Sequence, residues 1–197
     1  MTDHGHPFRL DIEVRAPARF AALQHMFAAL AQLKRAQFHT DDEDEEDEED
    51  EEVVEPNDPR WRSLLDTEAL AHFASAFDRD GEEGRTHQRL WELTEPARRG
   101  DPIFQVPGPW PFDAVIAGIY RAEYMLERLT RVSEEHAVLT YDPFAGPFGG
   151  TAPLVELVEG FGQLVRYDSW NVGPPHRPVV GWDFERAAQL VRARRGV

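Results

Sequence analysis

Two hydrophobic periodicities predict the first elements of the chain. Over residues 8–15, apolar residues alternate with charged ones, which is typical of a strand with one buried face. Over residues 17–37 the apolar positions recur every three or four residues, the period of an amphipathic helix. The apolar positions are Phe8, Leu10, Ile12 and Val14 in the strand, and Phe20, Leu23, Phe27 and Leu30 in the helix.

Helical patterns also fill residues 58–111. Asp58 is a suitable N-cap, Asp66-Thr67 is a potential break, and residues 78–84 read as a polar turn before a short helix at residues 86–95. A proline-rich connector at residues 107–111 ends this segment. We therefore expect residues 58–111 to form a helical insertion.

Residues 112–132 support two interpretations. Apolar residues spaced three or four apart fit one long helix, but Gly118 interrupts the pattern and a strand-like stretch follows at residues 136–142. We favour a short helix over residues 112–121, followed by a hairpin of residues 123–132 and 136–142. The single long helix remains the alternative.

The C-terminal third predicts a helix, a strand and a final helix. Thr151 is the expected cap of a helix that Gly162 ends, residues 164–170 read as a strand, and the last helix begins near Trp182. Omitting residues 38–111 leaves the order β-α-β-β-α-β, which is the split βαβ plan of ferredoxin-like sandwiches. The prediction is a single α+β domain over residues 1–197, a two-layer sandwich with an extra C-terminal helix and an insertion between the first helix and the second strand.

An uninterrupted acidic run occupies residues 41–52. It supplies twelve of the sixteen net negative charges, so the rest of the chain carries only −4. Because like charges repel and no apolar side chain offsets the ordering entropy, we expect a disordered acidic loop over residues 41–57. The run is either a solubilising spacer or a surface for a basic protein partner.

Several chemistries lack their residues. The chain has no cysteine, Lys34 is its only lysine, and neither a Gly-Lys-Ser/Thr phosphate loop, a Gly-x-Ser-x-Gly elbow nor a His-x-x-x-His pair occurs. We therefore expect no cofactor and no metal. The scattered arginines and the acidic run make nucleic-acid binding an unfavoured interpretation. No apolar run approaches membrane-spanning length and no signal peptide is evident, so a cytoplasmic protein of undetermined oligomeric state is predicted.

The best candidate site joins two segments that follow predicted strands. Residues 141–151 contain two glycines before a helix start, where backbone N–H groups can bind an anion, and residues 167–176 pair a carboxylate with a histidine. The candidate ligand-binding residues are Asp142, Gly149, Gly150, Thr151, Asp168, Trp170 and His176, with no catalytic residue assigned. Tight structural turns are the simpler interpretation of both segments.

Two functions follow from these patterns. The leading hypothesis is a non-enzymatic interaction or regulatory protein that engages a basic protein partner through its acidic run. The alternative is an enzyme or small-ligand-binding domain that uses residues 141–151 and 167–176.

Overall fold

The computed structural model describes residues 8–39, 58–106, 108–144, 150–177 and 181–195. The predicted acidic loop over residues 41–57 lies outside these ranges. Within them the order of the strands and α-helices is β1 Phe8–Glu13, α1 Pro17–His39, α2 Arg60–Ser63, α3 Thr67–Ala74, α4 Glu82–Glu92, α5 Phe112–Arg121, β2 Tyr124–Arg131, β3 His136–Pro143, α6 Ala152–Gly160, β4 Leu164–Asp168 and α7 Phe184–Arg195. Two short 3-10 helices, Pro96–Arg98 and Pro102–Phe104, separate α4 from α5.

The four strands form one sheet in the order β2-β3-β1-β4, and every neighbouring pair is antiparallel. In the central pair Leu10 lies opposite Leu139 and Ile12 lies opposite Ala137, so that the apolar residues of both strands share one face. These side chains are fully buried, and α1 and α6 pack on the sheet. The mixed α+β class expected from the sequence is confirmed.

The structure decides between the two interpretations of residues 112–132. Helix α5 ends at Arg121 and β2 begins at Tyr124, as the favoured interpretation predicted. A bulge between Leu126 and Arg128 shifts the register against β3. The buried residues Leu126 and Leu129 are therefore three residues apart, a spacing that also fits a helix.

The start of α4 and the end of the last strand differ from their predicted positions. Helix α4 begins at Glu82, inside the expected polar turn, because Gly84 lets the helix approach the backbone of Arg79 so closely that a Cβ atom would lie 2.0 Å from its carbonyl oxygen. The last strand ends at Asp168 and not at Trp170. There the Asp168 carboxylate accepts the N–H of Trp170 and turns the chain.

The chain divides into two compact units. The sheet unit comprises Met1–His72 and Phe112–His176, and the helical unit comprises Phe73–Pro111 and Arg177–Val197. In the helical unit, α4 packs on α7 around a buried cluster of Leu90, Ala187 and Val191. Among the described helices, none combines the length and hydropathy that crossing a membrane requires.

Candidate functional site

The two predicted site segments meet at a buried carboxylate. Asp168 is the last residue of β4, and its side chain is completely inaccessible to solvent. Its backbone pairs with Gly173, which folds the chain after β4 into a tight turn. Next to it, Ser169 is tied to β1, since its N–H donates to the Arg9 carbonyl and its hydroxyl accepts the Arg9 N–H at 2.7 Å.

Four donors surround the Asp168 carboxylate. Oδ1 accepts the Trp170 N–H at 2.9 Å and the Tyr141 hydroxyl at 3.4 Å. Oδ2 accepts the Asn171 amide at 2.7 Å and the Thr151 hydroxyl. None of the hydrogen bonds or ion pairs among the described residues gives this carboxylate a cationic partner. A buried carboxylate needs several donors to replace its lost hydration, and these four supply them.

Within this cluster, the Tyr141 hydroxyl is strongly affected by its surroundings. Burial raises the pKa of its hydroxyl well above the ordinary value, and the negative charge of Asp168 raises it further. The hydroxyl therefore stays protonated and donates to the carboxylate. The hydrogen bonds of the cluster hold β3, β4 and the start of α6 together. Because both groups are inaccessible to solvent, the cluster offers no free oxygen to a substrate.

Thr151 has a different role from the one that the sequence predicts. It occupies the N-cap position of α6, but it makes no side-chain capping hydrogen bond. Its hydroxyl donates to Asp168 instead, so the prediction of a side-chain cap is wrong. The reason is tertiary: the Asp168 carboxylate is fully buried, and it needs hydrogen-bond donors such as the Thr151 hydroxyl to replace its lost hydration.

The other predicted site residues do not converge on Asp168. Asp142 follows the buried Tyr141 on β3 and is exposed, because successive strand residues point to opposite faces. His176 is also exposed, and no hydrogen bond among the described residues joins it to the carboxylate. Trp170 contributes its backbone N–H, while its ring lies 5.5 Å from that of Phe8 and is 38% exposed.

Of the two glycines of this segment, Gly150 lies within the described residues. Gly150 has a φ of +63°, a backbone conformation that favours glycine, and no atom would crowd a Cβ there. Gly149 lies outside the described residues. The ligand-binding role of the seven residues therefore stays a prediction.

Sequence reasoning missed a second buried polar centre, formed by Lys34. The side chain is fully buried, and its Nζ donates to the carbonyls of Tyr120, at 3.2 Å, and of Ala122. These carbonyls belong to the C-terminal end of α5, where a cation suits the negative end of the helix dipole. Nζ also lies 5.1 Å from the ring centres of Phe38 and Tyr124.

Burial lowers the pKa of the Lys34 ammonium to about 8. The signal that could have revealed this environment is its position, because Lys34 follows Phe27 and Leu30 by seven and four residues and continues the apolar stripe of α1. Next to it, the Tyr124 hydroxyl is buried without a hydrogen-bond partner among the described residues. Burial raises the pKa of that hydroxyl far above the ordinary value.

The buried centres at Asp168 and Lys34 connect elements of the fold and therefore have a structural character. Among the described residues, no group of three or more histidine, aspartate or glutamate side chains could hold a metal ion. The chain matches no known family model, and comparison with curated proteins and with solved structures finds no significant match.

Proposed function

We propose that the sheet unit follows the ferredoxin-like βαββαβ plan, with residues 58–111 inserted between α1 and β2. The strand order β2-β3-β1-β4 and the antiparallel pairing of all neighbours support this plan. The packing of α1 and α6 on the sheet supports it as well. A cytoplasmic location is part of the same proposal, and the absence of cysteine supports it.

We propose that the protein is a non-enzymatic interaction protein that recruits a basic polypeptide through residues 41–52. The observation that carries this choice over catalysis is the enclosure of Asp168, the one carboxylate around which the predicted site segments meet. Its four hydrogen bonds would have to break before it could serve a substrate. This disfavours the alternative of an enzyme or ligand-binding domain built on residues 141–151 and 167–176.

The partner is defined by charge. Twelve consecutive carboxylates outside a nearly balanced remainder concentrate the negative potential in one segment. A concentrated field of this kind accelerates encounter with an oppositely charged surface, and salt weakens it because the Debye length is only about 10 Å at 0.1 M. The expected partner is therefore an arginine- or lysine-rich segment of another protein.

The test compares the intact protein with a variant of equal length in which residues 41–52 are alternating serine and glycine. Fluorescence anisotropy of a labelled arginine peptide of about twelve residues measures binding at low and at physiological salt. We expect the intact protein to bind the peptide in a salt-dependent manner and the variant to bind it at least ~100-fold more weakly. Equal binding by the two proteins contradicts the proposal.

A second measurement distinguishes the interaction proposal from the interpretation of residues 41–52 as a solubilising spacer. Both proteins are used to capture partners from a lysate of the source cells, and the co-purifying proteins are compared. The interaction proposal expects basic proteins that the intact chain retains and the neutral variant loses. Identical sets, together with lower solubility of the neutral variant, would show that the run only keeps the chain in solution.

A further inference from the structure

The helical unit contains a cavity of about 560 Å³ between α4, α7 and the two 3-10 helices. This volume lies in the range of small-molecule sites, which is roughly 300–1,000 Å³. All of its lining residues belong to the helical unit, and none of them is among the candidate residues selected from the sequence. It is therefore independent of the Asp168 cluster.

One face of α7 places two guanidinium groups at this cavity. Arg186, Leu190 and Arg194 follow one another at intervals of four residues, so they share a helix face, and all three line the cavity. Arg98, from the first 3-10 helix, adds a third guanidinium. Against these three cations, the lining contains one carboxylate, that of Asp101.

The guanidiniums keep donors that the fold does not use. Arg194 is held in place by Nη1, which donates at 2.9 Å to the Leu93 carbonyl and at 2.9 Å to the Thr94 hydroxyl. Arg98 donates only Nη2, at 3.3 Å, to Asp101 in an exposed pair. No hydrogen bond or ion pair among the described residues engages the Arg186 side chain. An exposed pair at this distance is weak and gives way readily to a better anion.

Apart from Thr94, the remaining side chains that line the cavity are apolar. Among them Leu90 is almost fully buried, and Ile103, Phe104 and Leu190 are partly buried. Such surfaces bind the hydrocarbon or aromatic part of a ligand, while a few charged groups fix its polar end. The lining thus combines apolar side chains with three arginines and one aspartate, although the whole chain carries a net charge of −16.

We propose that this cavity binds a small amphipathic organic phosphate. Its apolar body would lie on Leu90, Phe104 and Leu190, and its phosphate would accept hydrogen bonds from Arg186, Arg194 and Arg98. Arginine suits this role because its planar fork matches two oxygens of a phosphate group. The site is separate from the proposed interaction through residues 41–52.

Isothermal titration calorimetry of the full-length protein with phenyl phosphate tests the site. We expect a dissociation constant below about 1 mM, and binding at least ~10-fold weaker for inorganic phosphate, which lacks the apolar body, and for benzyl alcohol, which lacks the charge. Benzoate decides between phosphate and carboxylate chemistry. The absence of detectable binding of phenyl phosphate, or tighter binding of benzoate, overturns the proposal.

Charge reversal at Arg186 has a matched control on the same helix. Arg192 is exposed on α7 but does not line the cavity, so Arg186→Glu and Arg192→Glu change the net charge equally. We expect Arg186→Glu to weaken phenyl phosphate binding by at least ~10-fold and Arg192→Glu to leave it within about twofold. Equal losses would mean a general charge effect and would refute the site. Circular dichroism verifies folding, and Arg186→Gln repeats the test with a neutral side chain.

Discussion

The hydroxyl groups of two buried tyrosines on neighbouring strands have opposite effects on the stability of the fold. Their rings lie 5.6 Å apart, and both side chains are inaccessible to solvent. The Tyr141 hydroxyl donates to Asp168, whereas the Tyr124 hydroxyl has no hydrogen-bond partner among the described residues. Removing a bonded hydroxyl leaves an acceptor less satisfied, while removing an unbonded one relieves a desolvation penalty.

The two tyrosines therefore form a matched pair of substitutions. We expect Tyr141→Phe to lower the free energy of unfolding by about 1–2 kcal/mol. Tyr124→Phe should leave it unchanged or raise it by up to ~1 kcal/mol, because no hydrogen bond is lost. Urea unfolding of both variants measures the difference. A larger loss for Tyr124→Phe than for Tyr141→Phe would show that the Tyr124 hydroxyl has a partner.

Lys34 makes stability depend on pH in the alkaline range. Its pKa is about 8 in the folded protein and has the ordinary value of 10.5 in the unfolded chain. Between these values the unfolded state binds the additional proton, so this group's contribution to stability is lowest below pH 8 and rises towards pH 10.5, by up to about 3 kcal/mol. Urea unfolding should show this rise in the intact protein and not in Lys34→Met.

The titration itself can be followed directly. Because Lys34 is the only lysine, selective ¹³C labelling of lysine gives a single set of side-chain signals. Their shifts should titrate with a midpoint near pH 8. A midpoint close to 10.5 would mean that the ammonium is hydrated and that its burial between α1 and the end of α5 is incorrect.

At the scale of elements, one residue both starts a helix and ties it to its neighbours. The Asp66 carboxylate accepts the Ala69 N–H at 2.7 Å, which caps α3, and it also accepts Nε and Nη2 of Arg19 at 2.8 and 2.9 Å. Arg19 lies on α1 and donates in addition to the Gly160 carbonyl at the end of α6. The Asp66–Arg19 pair thus connects α1, α6 and the start of α3.

Asp66 should therefore matter more than an ordinary helix cap. Partial burial raises its pKa, but the hydrogen bonds from Arg19 and Ala69 outweigh this effect and hold the pKa below 3.8. We expect Asp66→Ala to cost about 2–3 kcal/mol and Asp66→Asn, which keeps the cap, to cost less. This stabilisation is present above about pH 4 and is lost as the pH falls through the lowered pKa.

Thermal and urea unfolding at neutral and acidic pH measure both effects. The difference between the intact protein and Asp66→Asn should shrink on acidification, because the carboxylate is then protonated in both states. A difference that is independent of pH would mean that the ion pair with Arg19 contributes nothing, and that Asp66 acts only through the α3 cap.

For the whole molecule, charge is distributed in two opposite ways. The acidic run supplies most of the net charge of −16 within twelve residues of sequence. The helical unit instead gathers three arginines at one cavity from positions separated by almost a hundred residues, between Arg98 and Arg194. The first concentration needs no folding, whereas the second exists only because α7 packs on α4. The two proposals therefore fail or succeed separately.

The sequence alone determined the elements whose periodicity is regular and whose ends carry strong signals. Alternation over β1, the apolar stripe of α1 and the end of α6 before Gly162 are local properties, and the structure confirms all three. Gly162 has a φ of +74°, which favours glycine. The excess charge of residues 41–52 is likewise a matter of composition. At each of these positions the conformational preference of the local sequence, and not a long-range contact, decides the outcome.

Only the tertiary structure decided which polar groups are buried together. Thr151 looked like a cap and Asp168 like an ordinary polar residue near a strand end, yet they bond to each other because α6 returns to β4. Lys34 stands on the apolar stripe of α1, but only the arrival of the α5 carbonyls makes its burial tolerable. The spacing of residues along the sequence does not reveal these contacts, since the desolvation of a polar group depends on neighbours that are distant along the chain.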